Sequence, residues 1–174
     1  MPDNDILVVP NPLLRQQCRE VSDFDSALQS YAEQLQHAAL RPERAAVAAP
    51  QIGLAIRAFA VSSSEFPAAV IVNPHITEIK GMQSGREKCL SIPGYEFIIV
   101  RAKTITLIAQ RIDGSHFEFV VSDWLARVIQ HECDHLDGVL ITDRASEQVR
   151  GLPRQQRRAI ERAVAKAEGL NSTS

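Results

Sequence analysis

The chain has 174 residues, of which 45% are hydrophobic, and a formal net charge of -2. This suits one domain with its own core and leaves no global field favouring nucleic acid or an anionic membrane. No apolar run approaches the roughly 18 residues of a membrane helix, and the opening "MPDNDILVVPNPLLR" lacks the basic, apolar, small-residue order of a signal peptide. The expected location is the cytoplasm.

In chain order, Leu28, Tyr31, Leu35 and Ala39 recur at helical spacing and predict a first helix within "FDSALQSYAEQLQHAALR". A segment rich in small residues, "RPERAAVAAPQIGLAIRAFAV", follows and ends in an expected strand. The middle reads as β: "AAVIVNP", "HITEI", "FIIV", "KTITLIA" and "HFEFVV" are β-branched or aromatic runs separated by turn residues. A second helix starts near Ser122, a suitable N-cap, with Asp123 in its first turn, and stops at Gly138. A last helix follows Pro153. Helix, closely spaced strands and helix predict an α+β fold, since the strands leave no room for βαβ crossovers. Residues 1–168 form the expected single domain, and 169–174 a polar tail.

The second helix carries "VIQHECDHLDGVL", in which His131 and His135 lie four apart and Glu132 follows the first histidine. Residues four apart share one face, so both imidazoles can reach one ion. Trp124, Val128, His131 and His135 form one apolar-side stripe, and Leu125, Ile129, Glu132 and Leu136 run beside it. A solvated helix with two chance histidines would place Glu132 among polar neighbours, whereas a carboxylate against leucines needs a partner. The pattern favours a metal with Glu132 as its acid–base group. Cys133 points to the far side and reads as packing. Asp134 either orients a ligand histidine or pairs with a basic neighbour.

Catalytic zinc-type sites take three protein ligands and keep a position open. The longer zinc-protease signature would put a third histidine where this chain has Ile141, so Gly138 is read as a helix stop. That leaves a zinc endopeptidase less favoured. A thiolate is the natural third donor. Cys89, in the loop-like "GREKCLSIPGY", is only modestly preferred over Cys18, in "LRQQCREV". Three cysteines cannot all pair with one another, which favours thiols or ligands over a disulfide framework.

"AAVAAPQIGL", "EKCLSIPGY" and "HECDHLDG" stand in the order of the three motifs of the peptide deformylases, which the chain resembles up to about residue 145. The opening "DILVVPNPLLRQQCREV" and "VIVNPHI" are similar as well. The resemblance implies antiparallel or mixed β-sheets packed around a central helix that carries the metal-binding motif, and removal of the N-formyl group from formyl-methionyl peptides or nascent proteins. It implies Cys89, His131 and His135 as metal ligands and Glu132 as general base and then acid. Gln51 and the Leu90 backbone N–H would hold the oxyanion. Ala45, Ala46 and Lys88 would line the extended substrate, while Glu87 and Arg101 would brace the cysteine segment; without the resemblance those two charges read as surface residues.

The first and second motifs depart from the family pattern. Arg44, Ala46 and Lys88 stand where glycines are expected, and Val47 replaces a leucine. The departures predict a narrower or shifted channel, with Arg44 and Lys88 adding positive charge at its rim, and hence altered specificity. The resemblance implies ferrous iron in the cell, while the ligand set also accepts zinc, nickel or cobalt. Between Arg150 and Lys166 lie six basic residues, which read as a solvated helix face or as a weak ribosome contact; direct nucleic-acid binding is not required. The alternatives are a relative acting on another N-formyl compound and a non-catalytic peptide-binding module on the same fold. An intact Gln51, Cys89 and Glu132 set argues against the second.

Overall fold

In the computed structural model, which describes residues 6–41, 43–63 and 69–169, the five apolar runs of the middle region resolve into three strands. Val70–Cys89 (β3) and Ile92–Gln110 (β4) make one long antiparallel hairpin, and His116–Ser122 (β5) adds to the outer strand of that pair. Ala46–Ala48 (β1) and Ala58–Val61 (β2) complete a sheet of order β1-β2-β3-β4-β5, antiparallel throughout. The turn residues inside the runs are absorbed as irregularities: register shifts at Val72/His75 and Ile76/Glu78 bend β3 without ending it. Cys89, expected in a loop, is instead the last residue of β3, so the strand fixes its backbone.

Among the described residues, four α-helices accompany the sheet. Ser26–Ala39 (α1) begins at Asp25, whose carboxylate accepts the N–H groups of Ala27 and Leu28. Its Leu28, Ala32 and Leu35 pack on Val47, Ala58 and Ala60. Asp123–Leu136 (α2) starts after Ser122 as expected, but the Ser122 hydroxyl contacts Thr104 Oγ1 at 2.8 Å and makes no cap bond. Its Leu125, Ala126, Ile129 and Leu136 join Phe59, Ile71, Ile105 and Leu107 in the principal core. Trp124 differs from expectation: it is 56% exposed, because the first turn of α2 lies at the mouth of a cleft.

A short helix, Ile141–Gln148 (α3), has no counterpart among the sequence expectations; its eight residues carry too few turns for periodicity to register. Arg154–Ala167 (α4) follows Pro153 as expected, with Ile160, Ala163 and Val164 against a third cluster that includes Cys89, Phe97 and Ile99. Arg15 ties the chain ends together through Asp143 and Glu168. Of the predicted polar tail, residues 170–174 lie outside the described residues. No helix among the described residues is long and apolar enough to cross a membrane.

Beyond β5, the outer side of β4 is satisfied by side-chain amides. Gln130 of α2 exchanges two bonds with the backbone of Ala102, each 3.0 Å. Gln148 of α3 does the same at Val100, at 3.1 and 3.3 Å. The two helices are thereby locked to the hairpin through obligatory backbone groups.

Gly138 ends α2 with φ of 72°, and a Cβ there would lie 2.6 Å from the Arg15 carbonyl oxygen. Both the left-handed backbone and the close approach require glycine. Gly138→Ala is expected to lower stability by about 2 kcal/mol or more, read as a lower urea midpoint at unchanged m-value.

Candidate metal centre

Helix α2 and the end of β3 converge on three buried or nearly buried donors. Cys89, His131 and His135 each offer one ligand atom, and these atoms lie within 4.8 Å of one another. Cys89 Sγ is 3.2 Å from His135 Nε2. The arrangement follows from two local rules: four-residue spacing on α2 stacks the imidazoles, with ring centroids 4.9 Å apart, and strand alternation turns Glu87 and Cys89 inward while Arg86 and Lys88 face out.

The electrostatics suit a cation. Burial opposes ionisation of Cys89, but the charge of His135 and hydrogen bonds from both histidines outweigh it and hold the thiol well below its ordinary range. Burial likewise opposes charge on His131, and its bonds to Cys89 and Glu87 overcome that and raise it well above the usual imidazole range. A buried thiol that is drawn toward its thiolate beside two imidazoles is a setting that a divalent ion suits. One thiolate and two imidazoles form a borderline-soft donor set that suits zinc and the neighbouring first-row ions.

Glu132 is 4% exposed, and its Oε2 has no hydrogen-bond partner among the described residues. Burial, the largest effect, raises its carboxyl above the ordinary range, with the two histidines pulling in the other direction. A buried carboxylate oxygen without a protein partner fits a group that takes up and releases a proton in the cleft.

Gln51 is 2% exposed in the single turn Ala49–Ile52. Its Oε1 accepts the Ala48 N–H at 2.9 Å, which turns the Nε2 donor toward Ser91 Oγ at 3.2 Å and Cys89 Sγ at 4.0 Å. Leu90, the next residue after Cys89, lines the same cleft, as do Ala45 and Ala46. The cleft has a volume of about 730 Å³, and Ile6, Glu43, Tyr95 and Trp124 line it together with Cys89 and His131.

Around the donors lies a buried ion network. Arg101 binds Glu87 in a fork, Nε at 2.8 Å and Nη2 at 2.9 Å, and reaches Asp134 with Nη1 at 2.6 Å. Glu87 Oε2 also meets His131 Nδ1 at 3.1 Å, so a carboxylate orients that imidazole from behind. Burial opposes ionisation of Glu87, yet the bonds from Arg101 and His131 keep its carboxyl far below the usual range. Asp134 resolves its two readings toward a basic partner: it pairs with Arg101 and with Arg144 at 2.5 Å. The surface reading of Glu87 and Arg101 is overturned, since they are 6% and 5% exposed.

The other cysteines stand apart from the donors. Cys133 packs in the principal core, its thiol pushed up by burial to about 12, and Cys18 lies in the same core with its thiol pushed up by burial to about 11. Arg44 corrects an expectation. It is 7% exposed rather than a charge on the rim, and its Nη1 donates to the Ala38 carbonyl near the end of α1, 2.5 Å away. Lys88 is exposed and lines the cleft as expected, with its ammonium 3.9 Å from Glu96, which lines the cleft as well. The sequence reading missed Arg127 and Ser91; four-residue spacing from His131 and proximity to Cys89 were the available signals.

Residues 4–151 match the family model described as polypeptide deformylase. The chain belongs to the peptide deformylase family. It is 37% identical over 144 residues to a peptide deformylase of Dictyoglomus thermophilum, covering 83% of this chain and 94% of that one. A Thermotoga petrophila relative is 38% identical over 160 residues, covering 91% and 97%. The crystal structure of peptide deformylase from Thermus thermophilus aligns with a TM-score of 0.79 at 32% identity, covering 95% and 97%. The chain is therefore a metal-dependent hydrolase that removes N-formyl groups, in the α+β architecture that the family shares.

Removing the Glu87 charge would leave the buried Arg127 without its carboxylate partner and Arg101 with Asp134 alone. Glu87→Gln is expected to destabilise the metal-free protein by about 3 kcal/mol, measured by urea unfolding against wild type.

Proposed function

We propose that this deformylase acts on N-formylmethionyl peptides and nascent chains in the cytoplasm, with Cys89, His131 and His135 holding one divalent ion, ferrous iron in the cell. The observation that carries this reading is the gathering of those three donors within 4.8 Å beside the buried Glu132 carboxylate. The bound ion supplies Lewis-acid polarisation of the formyl carbonyl and a nucleophile from water near neutral pH.

Each remaining task falls to a residue of the chain. Glu132 accepts a proton at its carboxylate from the attacking water and returns it to the leaving amine nitrogen, a cycle suited to a carboxyl raised by burial. Gln51 Nε2 and the Leu90 N–H donate to the oxygen that gains charge as the formyl carbon becomes tetrahedral. The Ala48 N–H supports this role by occupying Gln51 Oε1, which leaves only the donor facing the cysteine. Ala45, Ala46 and Lys88 offer backbone groups to an extended peptide along the cleft. Glu87 and Arg101 brace the donors from behind.

The glycine replacements at Arg44, Ala46 and Lys88 support a change of substrate preference rather than of chemistry. A standard deformylase and this chain, compared on a panel of formyl peptides, are expected to differ in kcat/KM. Equal values across the panel would remove that part of the reading. The exposed Arg154, Arg158 and Arg162 of α4 further support a weak ribosome contact. Replacing Arg154, Arg157 and Arg158 with alanine is expected to reduce co-sedimentation with ribosomes, and unchanged co-sedimentation would refute the contact.

The chemistry is tested by loading anaerobically purified protein with ferrous iron and measuring formate release from formyl-Met-Ala-Ser. Glu132→Ala is expected to lose at least about a hundredfold in kcat while retaining the ion. Full activity in that variant would overturn the assignment of Glu132.

A further inference from the structure

Behind the donors sits a side chain that the deformylase reaction itself does not call for. Arg127 lies one turn before His131 on α2 and is 8% exposed. Its Nη1 donates to Glu87 Oε1 at 2.6 Å and to the Ile99 carbonyl at 2.9 Å, and its Nη2 to the Gln83 carbonyl at 3.3 Å. One guanidinium thus joins the metal helix to both strands of the hairpin and to the carboxylate that faces His131 Nδ1.

Gly85 supplies an independent observation. It lies inside β3, where glycine weakens a strand, and no positive φ calls for it. A Cβ at that position would lie 3.0, 3.1 and 3.2 Å from Nη2, Cζ and Nε of Arg127. The missing side chain is the space the guanidinium occupies.

We propose that Arg127, seated over Gly85, is a positioning residue that fixes the Glu87 carboxylate and through it the ring of His131 toward the metal. Arg101 alone is a weaker anchor. Its third nitrogen is drawn to Asp134, which is shared with Arg144, a residue whose side chain is 36% exposed. Arg127 instead references Glu87 to backbone carbonyls within the hairpin. An ionised Glu87 only accepts hydrogen bonds, so it keeps the proton on His131 Nδ1 and leaves the Nε2 lone pair for the ion. This proposal rests on His131 being a ligand, as read above.

The test is Co²⁺ titration of the metal-stripped full chain under anaerobic conditions, followed by the thiolate-to-cobalt absorption band and by chelator competition. Wild type is compared with Arg127→Met, Arg127→Lys, Gly85→Ala and His131→Ala, and each metal-free protein is also melted. Arg127→Met is expected to weaken Co²⁺ affinity by about ten- to a hundredfold, with a smaller loss in Gly85→Ala. Arg127→Lys, which keeps the charge but cannot span all three acceptors, should fall between wild type and Arg127→Met. It decides the matter if the methionine variant does not fold. Lower melting temperatures with wild-type Co²⁺ affinity in both Arg127 variants would overturn the proposal and leave Arg127 a structural residue. Wild-type affinity in His131→Ala would instead overturn the ligand reading, and the proposal with it.

Discussion

One buried negative charge organises this molecule. Glu87 sits at the inner face of β3, 6% exposed, where an unpaired carboxylate would cost several kcal/mol. Its two oxygens meet Arg101 from β4, Arg127 from α2 and the ring of His131. Both strands of the hairpin and the later helix α2 must therefore arrive together, with their side chains at hydrogen-bonding distance, before the charge is compensated. The same condition places Cys89, two residues further along the strand, against the histidines of α2.

Rigidity in the surroundings follows from this arrangement. Because β3 and β4 form one long hairpin, their inward residues keep a constant register, and the cysteine is held on a strand rather than on a mobile loop. Gln130 and Gln148 fasten α2 and α3 to the backbone of β4. The cleft is left with a fixed wall of donors and a carboxylate, Glu132, whose buried oxygen lacks a partner among the described residues.

The departures from the family motifs take on a different meaning in three dimensions. Arg44 turns back to cap the end of α1, and Lys88 lies at the cleft beside Glu96. Both residues leave the row of inward side chains intact. Ala46 stays small and buried beside the cleft. The three donors stay gathered while residues around the cleft differ from the family motifs.

Much of this was legible in the sequence because helical and strand periodicities are local. The histidine pair, the placement of Glu132, the stop at Gly138, the packing role of Cys133 and the α+β class all follow from spacing on one element, and motif resemblance added Cys89, Gln51 and the Glu87–Arg101 pair. Local patterns carried less elsewhere. They cut two long strands into four runs, because bulges and turn-forming residues look alike in sequence, and they passed over α3, which is too short to show a period. They placed Trp124 in the core, although a helix's first turn can project past the sheet it packs on. Only the tertiary structure decided which charges are buried partners. Ion pairing among Glu87, Arg101, Arg127 and Asp134 joins residues 14 to 40 positions apart, and desolvation, which makes those pairs obligatory, exists only once the chain has closed around them.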